Sequence, residues 1–194
     1  MKFKYLLIAS SLIALQGCVT AAVVGVVGGA AVINDNRSVG KLIDDQKIEL
    51  AAHNKLANVE GLSDNANLQV VSVNAKALIV GQAPNSYLKN LAIKTLNQVE
   101  GIEQIHDQIR IGNTTSVTTK SNDVWLTSKV KTALFTSDKV DATNIKVVTE
   151  NGEVFLLGLI DSQQANEAVE IARHIGGVNR VFKMFEYINW FIIV

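Results

Sequence analysis

The stretch Asn144-Ile145-Lys146-Val147-Val148-Thr149-Glu150-Asn151-Gly152-Glu153-Val154-Phe155-Leu156-Leu157-Gly158-Leu159 reads as two strands, residues 144–149 and 153–159, turned about Asn151-Gly152. Asn-Gly suits a type I′ turn, whose two central residues both need positive φ and whose twist matches that of paired strands. Downstream, helical spacing covers 162–175, Gly176-Gly177 suits the left-handed C′ position, and residues 179–188 read as a last strand. Upstream lies an amphipathic helix over 123–135, for which Asp123 is the expected N-cap. The order is α-β-β-α-β.

The same order occurs earlier in the chain. Leu78-Ile79-Val80-Gly81 corresponds to Phe155-Leu156-Leu157-Gly158, and Gly101-Ile102 to Gly177-Val178. Ile48, Ala52 and Leu56 correspond to Leu126, Val130 and Leu134, so three anchors recur at offsets of 76 to 78 residues. Such self-similarity marks a duplicated domain. The first repeat has helices at 44–57 and 86–99 and a last strand at 104–111, with Asn74-Ala75 as a weaker turn signal. Asp44-Asp45, at the expected helix start, suits the macrodipole better than acid–base chemistry. The expected class is α+β: two tandem αββαβ units, each with two helices on one face of a three-stranded mixed sheet. Each unit is expected to fold by itself, with a stability of only a few kcal/mol. The boundaries are 38–112 and 121–189, joined by a polar linker at 113–120 and followed by an apolar tail at 190–194. That tail either prolongs the last strand or adds apolar surface.

Cys18 is the only cysteine of the 194 residues. Lys2 and Lys4 precede a short apolar run that ends in Leu15-Gln16-Gly17-Cys18. The run has signal-peptide length and is too short to span a bilayer. Leu-Gln-Gly-Cys resembles the lipobox of bacterial lipoproteins. That resemblance implies removal of residues 1–17, acylation of Cys18, and a permanent anchor from several acyl chains at about 0.8 kcal/mol per buried CH₂. By the same resemblance, Val19 rather than Asp after the cysteine implies the outer membrane, on its periplasmic face. Residues 18–37 then form the lipidated terminus and an apolar, glycine-rich segment, read as a membrane-proximal linker or, alternatively, a buried first strand. With no second cysteine, no intramolecular disulfide can form.

The full chain carries 18 basic and 18 acidic residues; loss of Lys2 and Lys4 leaves 16 minus 18, or −2. No basic stripe points to nucleic acid. His53, His106 and His174 lie in separate elements at no metal-ligand spacing, and no P-loop, G-x-S-x-G or dinucleotide fingerprint occurs. The expectation is a non-enzymatic chain with no metal and no cofactor beyond the acyl chains on Cys18.

The repeat pattern resembles the BON domain. It has Val/Leu-Gly at the second strand and Gly-Val/Ile before the last, over nearly all of 38–189. A lipobox followed by two such units is similar to the dual BON-domain outer-membrane lipoproteins of Gram-negative bacteria. The resemblance implies binding of anionic phospholipid (phosphatidylglycerol, cardiolipin) by the second unit, support of envelope integrity, and enrichment at division sites. The alternative is a protein-interaction module, an accessory to the outer-membrane β-barrel assembly machinery. No small-molecule substrate is implied.

The repeats differ where this function would sit. At 100° per residue, Leu126, Val130, Ala133 and Leu134 form the core stripe of the helix at 123–135. Trp125, Ser128, Lys129, Thr132 and Phe135 fall on the opposite side, with Lys131 at its edge. The first repeat has Lys47 and Ala57 in place of Trp125 and Phe135. An exposed Trp flanked by lysines suits a membrane interface; packing of Trp125 against the other repeat is the competing reading. By resemblance, Trp125 corresponds to a membrane-inserted tryptophan, with Lys129 and Lys131 at headgroup contacts.

Overall fold

The structure is a computed structural model that describes residues 37–188. Cys18, the signal 1–17, the apolar linker up to residue 36 and the tail 190–194 lie outside the described residues. The first repeat runs α1 (Val39–Ala57), α2 (Leu62–Asn65), β1 (Asn67–Val73), β2 (Lys76–Ala83), α3 (Ser86–Leu96) and β3 (Gln104–Ile111). The second runs α4 (Val117–Phe135), a 3₁₀ turn (Ala142–Asn144), β4 (Ile145–Glu150), β5 (Glu153–Ile160), α5 (Ser162–Arg173) and β6 (Arg180–Tyr187). Each repeat builds one three-stranded sheet, ordered β1-β2-β3 and β4-β5-β6. The hairpin pairs are antiparallel, and β2–β3 and β5–β6 are parallel. Parallel neighbours need a crossover, which α3 and α5 supply. The sheets are mixed, as expected, and both repeats follow the αββαβ order; α2 and the 3₁₀ turn are additions.

Both first helices begin earlier than the sequence reading placed them. Ser38 caps α1, accepting from Lys41 N, and Ser116 caps α4, accepting from Thr119 N at 3.1 Å. Asp123 is therefore not an N-cap, and Asp44-Asp45 are not at a helix start. Residues 117–120, assigned to the linker, are helix. Their β-branched and polar side chains mask the pattern, while the Ser116 cap and a Lys120–Asn67 hydrogen bond of 2.8 Å hold the extra turns.

Both hairpins are type I′ turns, with φ of 54° and 65° at Asn74 and Ala75 and of 52° and 74° at Asn151 and Gly152. The first is thus a full version of the turn despite its alanine. The repeated glycines of the second strands have a steric cause. A Cβ at Gly81 would lie 1.9 Å from the Asn67 carbonyl oxygen, and one at Gly158 would lie 2.0 Å from that of Asn144.

The two-layer core expected for each unit is half of the arrangement. In β2, Ile79 faces α1 and α3, whereas Leu78 and Val80 face the other repeat. In β5, Val154 and Leu156 face α4 and α5, whereas Phe155 and Leu157 face the first repeat. The sheets' second faces thus meet in a third core, which also holds Val71, Val73 and Val148. Phe155 and Phe182 stack within it at 4.7 Å between centroids. This explains why the central strands are nearly continuous apolar runs: they are buried on both sides. Polar pairs rim the contact: Lys146–Glu49 at 2.5 Å, Lys76–Glu186 at 3.5 Å and Arg110–Glu153. The layers are helix, sheet, sheet, helix, and the expectation of two self-sufficient units omits the shared core.

Candidate functional site

The candidate face is the outer side of α4. Its inner side fixes how it sits. Leu126, Val130 and Leu134 are essentially fully buried. One turn before Leu126's partners in the core, Asp123 is also buried and accepts the backbone N–H groups of Asn151 and Gly152, each at 2.8 Å. Asp45 does the same for Asn74 and Ala75 in α1, and also accepts from Ser72 Oγ at 2.7 Å. The acid that sequence spacing assigned to a cap, or to a helix dipole, is a clamp between helix and hairpin turn.

With the inner side so locked, the outer side is forced into solvent. Trp125 is 56% exposed and Phe135 69%. Ser128, Lys131 and Thr132 are exposed beside them. Ser128 Oγ donates to the Val124 carbonyl at 3.0 Å, and the Thr132 carbonyl accepts from Thr136 Oγ at 3.1 Å. Lys129 is only half-exposed. Its ammonium lies 4.2 Å from the centre of the Trp125 ring and donates to the Gly176 carbonyl at 3.3 Å. That contact ties the Trp125 flank to the loop after α5, so Lys129 positions the indole. The structure places all six predicted residues on α4, with Lys129 also packed on Trp125.

Two members of the face were missed. Val117 and Val124 are 81% and 69% exposed. With Ser128 and Phe135 they stand at spacings of seven, four and seven, so they form one stripe along the axis. Val117 was hidden by the linker assignment; extending the helical wheel two turns back would have found it. Trp125 and Lys129 flank this stripe on one side, and Lys120 and Lys131 on the other. Within α4 the sole acid is the buried Asp123, so the exposed face is apolar and cationic. α1 also exposes apolar residues, Val39, Ile43 and Leu50. There, however, Asp44 and Glu49 accompany the lysines, and Lys47 pairs with Asp44 at 3.3 Å.

Among the described residues no group of three His, Cys, Asp or Glu side chains could hold a metal ion. The His106 pKa is lowered by burial and by Lys76 nearby. No described helix is long and apolar enough to cross a membrane.

Comparison with known proteins agrees with this architecture. The BON domain profile matches residues 44–113 and 122–189. The chain is 37% identical to the outer membrane lipoprotein DolP of Haemophilus influenzae, over 96% of each chain. It is 38% identical to a 21 kDa hemolysin of Actinobacillus pleuropneumoniae, over 80% of each. It is 30% identical to the osmotically-inducible protein Y of Escherichia coli, over 79% of this chain and 77% of that one.

Proposed function

This chain belongs to the BON-domain family as a dual-domain outer-membrane lipoprotein, and from that premise we propose that its second BON domain binds anionic phospholipid through the outer face of α4. The observation that carries the reading is a single helix face where Val117, Val124, Trp125 and Phe135 are exposed, lysines flank them, and no exposed acid intervenes. Soluble domains rarely expose a contiguous apolar patch without a partner for it. An indole settles at headgroup depth, and each lysine near an anionic surface contributes about 1 kcal/mol. Cys18, acylated and facing the periplasm, holds the domain beside the bilayer, so α4 needs only weak affinity to engage it. The cellular role is non-enzymatic support of outer-membrane integrity, with enrichment wherever anionic lipid is concentrated, division sites included.

The test uses the mature chain with Cys18→Ser, which has no acyl anchor. Parent protein is expected to co-sediment with phosphatidylglycerol or cardiolipin vesicles and not with neutral ones. Trp125→Glu is expected to lose that binding while its thermal melt stays unchanged, since no core residue is touched. Undiminished binding by Trp125→Glu would transfer the face to a protein partner, with the outer-membrane β-barrel assembly machinery as the alternative.

A further inference from the structure

The internal duplication extends to the boundary between the repeats. Asp45 corresponds to Asp123, and Leu68, opposite Gly81, corresponds to Ile145, opposite Gly158. Glu49 therefore corresponds to Thr127, and Gln69 to Lys146. On one side of the boundary Glu49 and Lys146 close the space between α1 and β4 with an ion pair of 2.5 Å, and Glu49 also accepts from Ser72 N at 2.7 Å. On the other side the equivalent residues are Thr127 and Gln69, which cannot form that pair.

The space there stays open. It is a cleft of about 530 Å³ between α4, β1 and β4, within the size range of small-ligand sites. Asn67 and Gln69 of the first repeat face Ser128, Lys131 and Glu150 of the second across it. Val124 and Ser128 belong both to the cleft and to the exposed stripe of α4, so the mouth opens on the face assigned to the membrane. Lys120 stands at one end, donating to Asn67 Oδ1 at 2.8 Å. Lys131 has no ion-pair partner among the described residues. The acids of the cleft are already engaged. Asp123 holds the turn amides, and Glu150 accepts from Gln82 Nε2 at 2.5 Å. An ammonium group would find no free carboxylate pair here, whereas an anion finds Lys131 and Lys120. Neutral hydroxyls find the exposed Gln69 amide, whereas that of Asn67 is engaged by Lys120 and by Gln82 Oε1.

We propose that this cleft seats the phosphoglycerol headgroup of one lipid, its phosphate on Lys131 and Lys120 and its glycerol hydroxyls on Gln69. The first BON domain then reads the headgroup that the second approaches. The inference rests on the membrane reading of α4 and adds a headgroup preference to it.

The experiment compares phosphatidylglycerol with phosphatidylserine vesicles of equal charge, using the mature chain with Cys18→Ser. The decisive variant is Thr127→Glu with Gln69→Lys, which builds the Glu49–Lys146 pair on the open side. The parent is expected to prefer phosphatidylglycerol by about fivefold, the worth of one neutral hydrogen bond. The plugged variant is expected to bind both vesicles alike. Should its melt show misfolding, Gln69→Ala is expected to lose the same preference. A parent without preference, or a folded variant that keeps it, overturns the cleft. If Trp125→Glu meanwhile loses binding to both vesicles, the membrane reading stands without the cleft; if it loses neither, that reading falls. A third arm adds soluble glycerol 3-phosphate. Saturable amide shifts at Gln69 below about 1 mM would assign the cleft to a free solute and overturn the lipid assignment.

Discussion

Asp123 Oδ1 accepts the backbone N–H of Gly152 at 2.8 Å, so the helix that carries the exposed tryptophan is locked to the turn between β4 and β5. Its other oxygen takes Asn151 N at the same distance. A carboxylate is the efficient choice here. It satisfies two turn amides at once, and hydrogen bonds to a charged acceptor are roughly twice as strong as neutral ones. Asp123→Ala leaves those amides unpaired and should destabilise the protein by about 2–6 kcal/mol, at about 1–3 per orphaned group. Urea unfolding would check this, and a loss below about 0.5 kcal/mol would mean that water replaces the carboxylate without penalty.

Ala75 in the first turn and Gly158 within β5 carry opposite expectations. Ala75 sits at φ 65°, where a Cβ costs roughly 1 kcal/mol, and Asp45 helps to hold it there. Ala75→Gly should therefore raise stability by about 0.5–1 kcal/mol. Gly158→Ala should prevent folding, because its Cβ would meet the Asn144 carbonyl at 2.0 Å. Thermal melts should show a higher midpoint for Ala75→Gly and no cooperative transition for Gly158→Ala.

Burial raises the Glu150 pKa above its ordinary 4.5, with Asp123 nearby acting the same way, while the hydrogen bond from Gln82 and the charge of Lys120 oppose it. An acid whose pKa is raised on folding favours the folded state while protonated. That advantage is lost as pH rises from the unfolded value through the folded one. Glu150→Gln keeps an acceptor for Gln82 and removes the ionisation. Its melting temperature should exceed the parent's at neutral pH, and the gap should close below about pH 4. A gap that widens on acidification would contradict the assignment.

Phe155 is 2% exposed and belongs to the core shared by the two sheets. Phe155→Ala should cost about 3–5 kcal/mol. Produced alone, the second repeat would present Phe155, Leu157, Val148 and Phe182 to water. It should bind hydrophobic dyes and self-associate, unlike the joined pair, and a monodisperse isolated repeat with a sharp melt would show the shared core to be dispensable.

Cys18→Ala should abolish incorporation of labelled fatty acid and release the protein from the membrane fraction. Equal labelling of the variant would remove the basis for the anchor.

Much of the fold was legible because duplication printed each signal twice. Asn-Gly announced a turn, the glycine after Leu157 recurred after Val80, and Leu126, Val130 and Leu134 repeated the spacing of Ile48, Ala52 and Leu56. These are local quantities: a turn's φ angles, a helix's period, a strand's alternation. The exposed position of Trp125 was legible for the same reason, since the buried stripe of a helix dictates its opposite side.

What depended on neighbours distant in the chain was not legible. The sequence placed Asp123 beside a helix start, but only the folded hairpin brings the Asn151 and Gly152 amides to its oxygens, 28 and 29 residues away. The strands read as apolar on both faces without saying what covers the second, and the answer is the other repeat. Lys129 and Lys131 read alike as headgroup cations until folding set one against Trp125 and Gly176 and left the other beside the open cleft. Composition and periodicity determined the elements, their order and their duplication, because those follow from contacts within a few residues. Tertiary structure decided the pairing of the sheets and the chemistry of each charge, because a side chain's partners are set by where the whole chain returns.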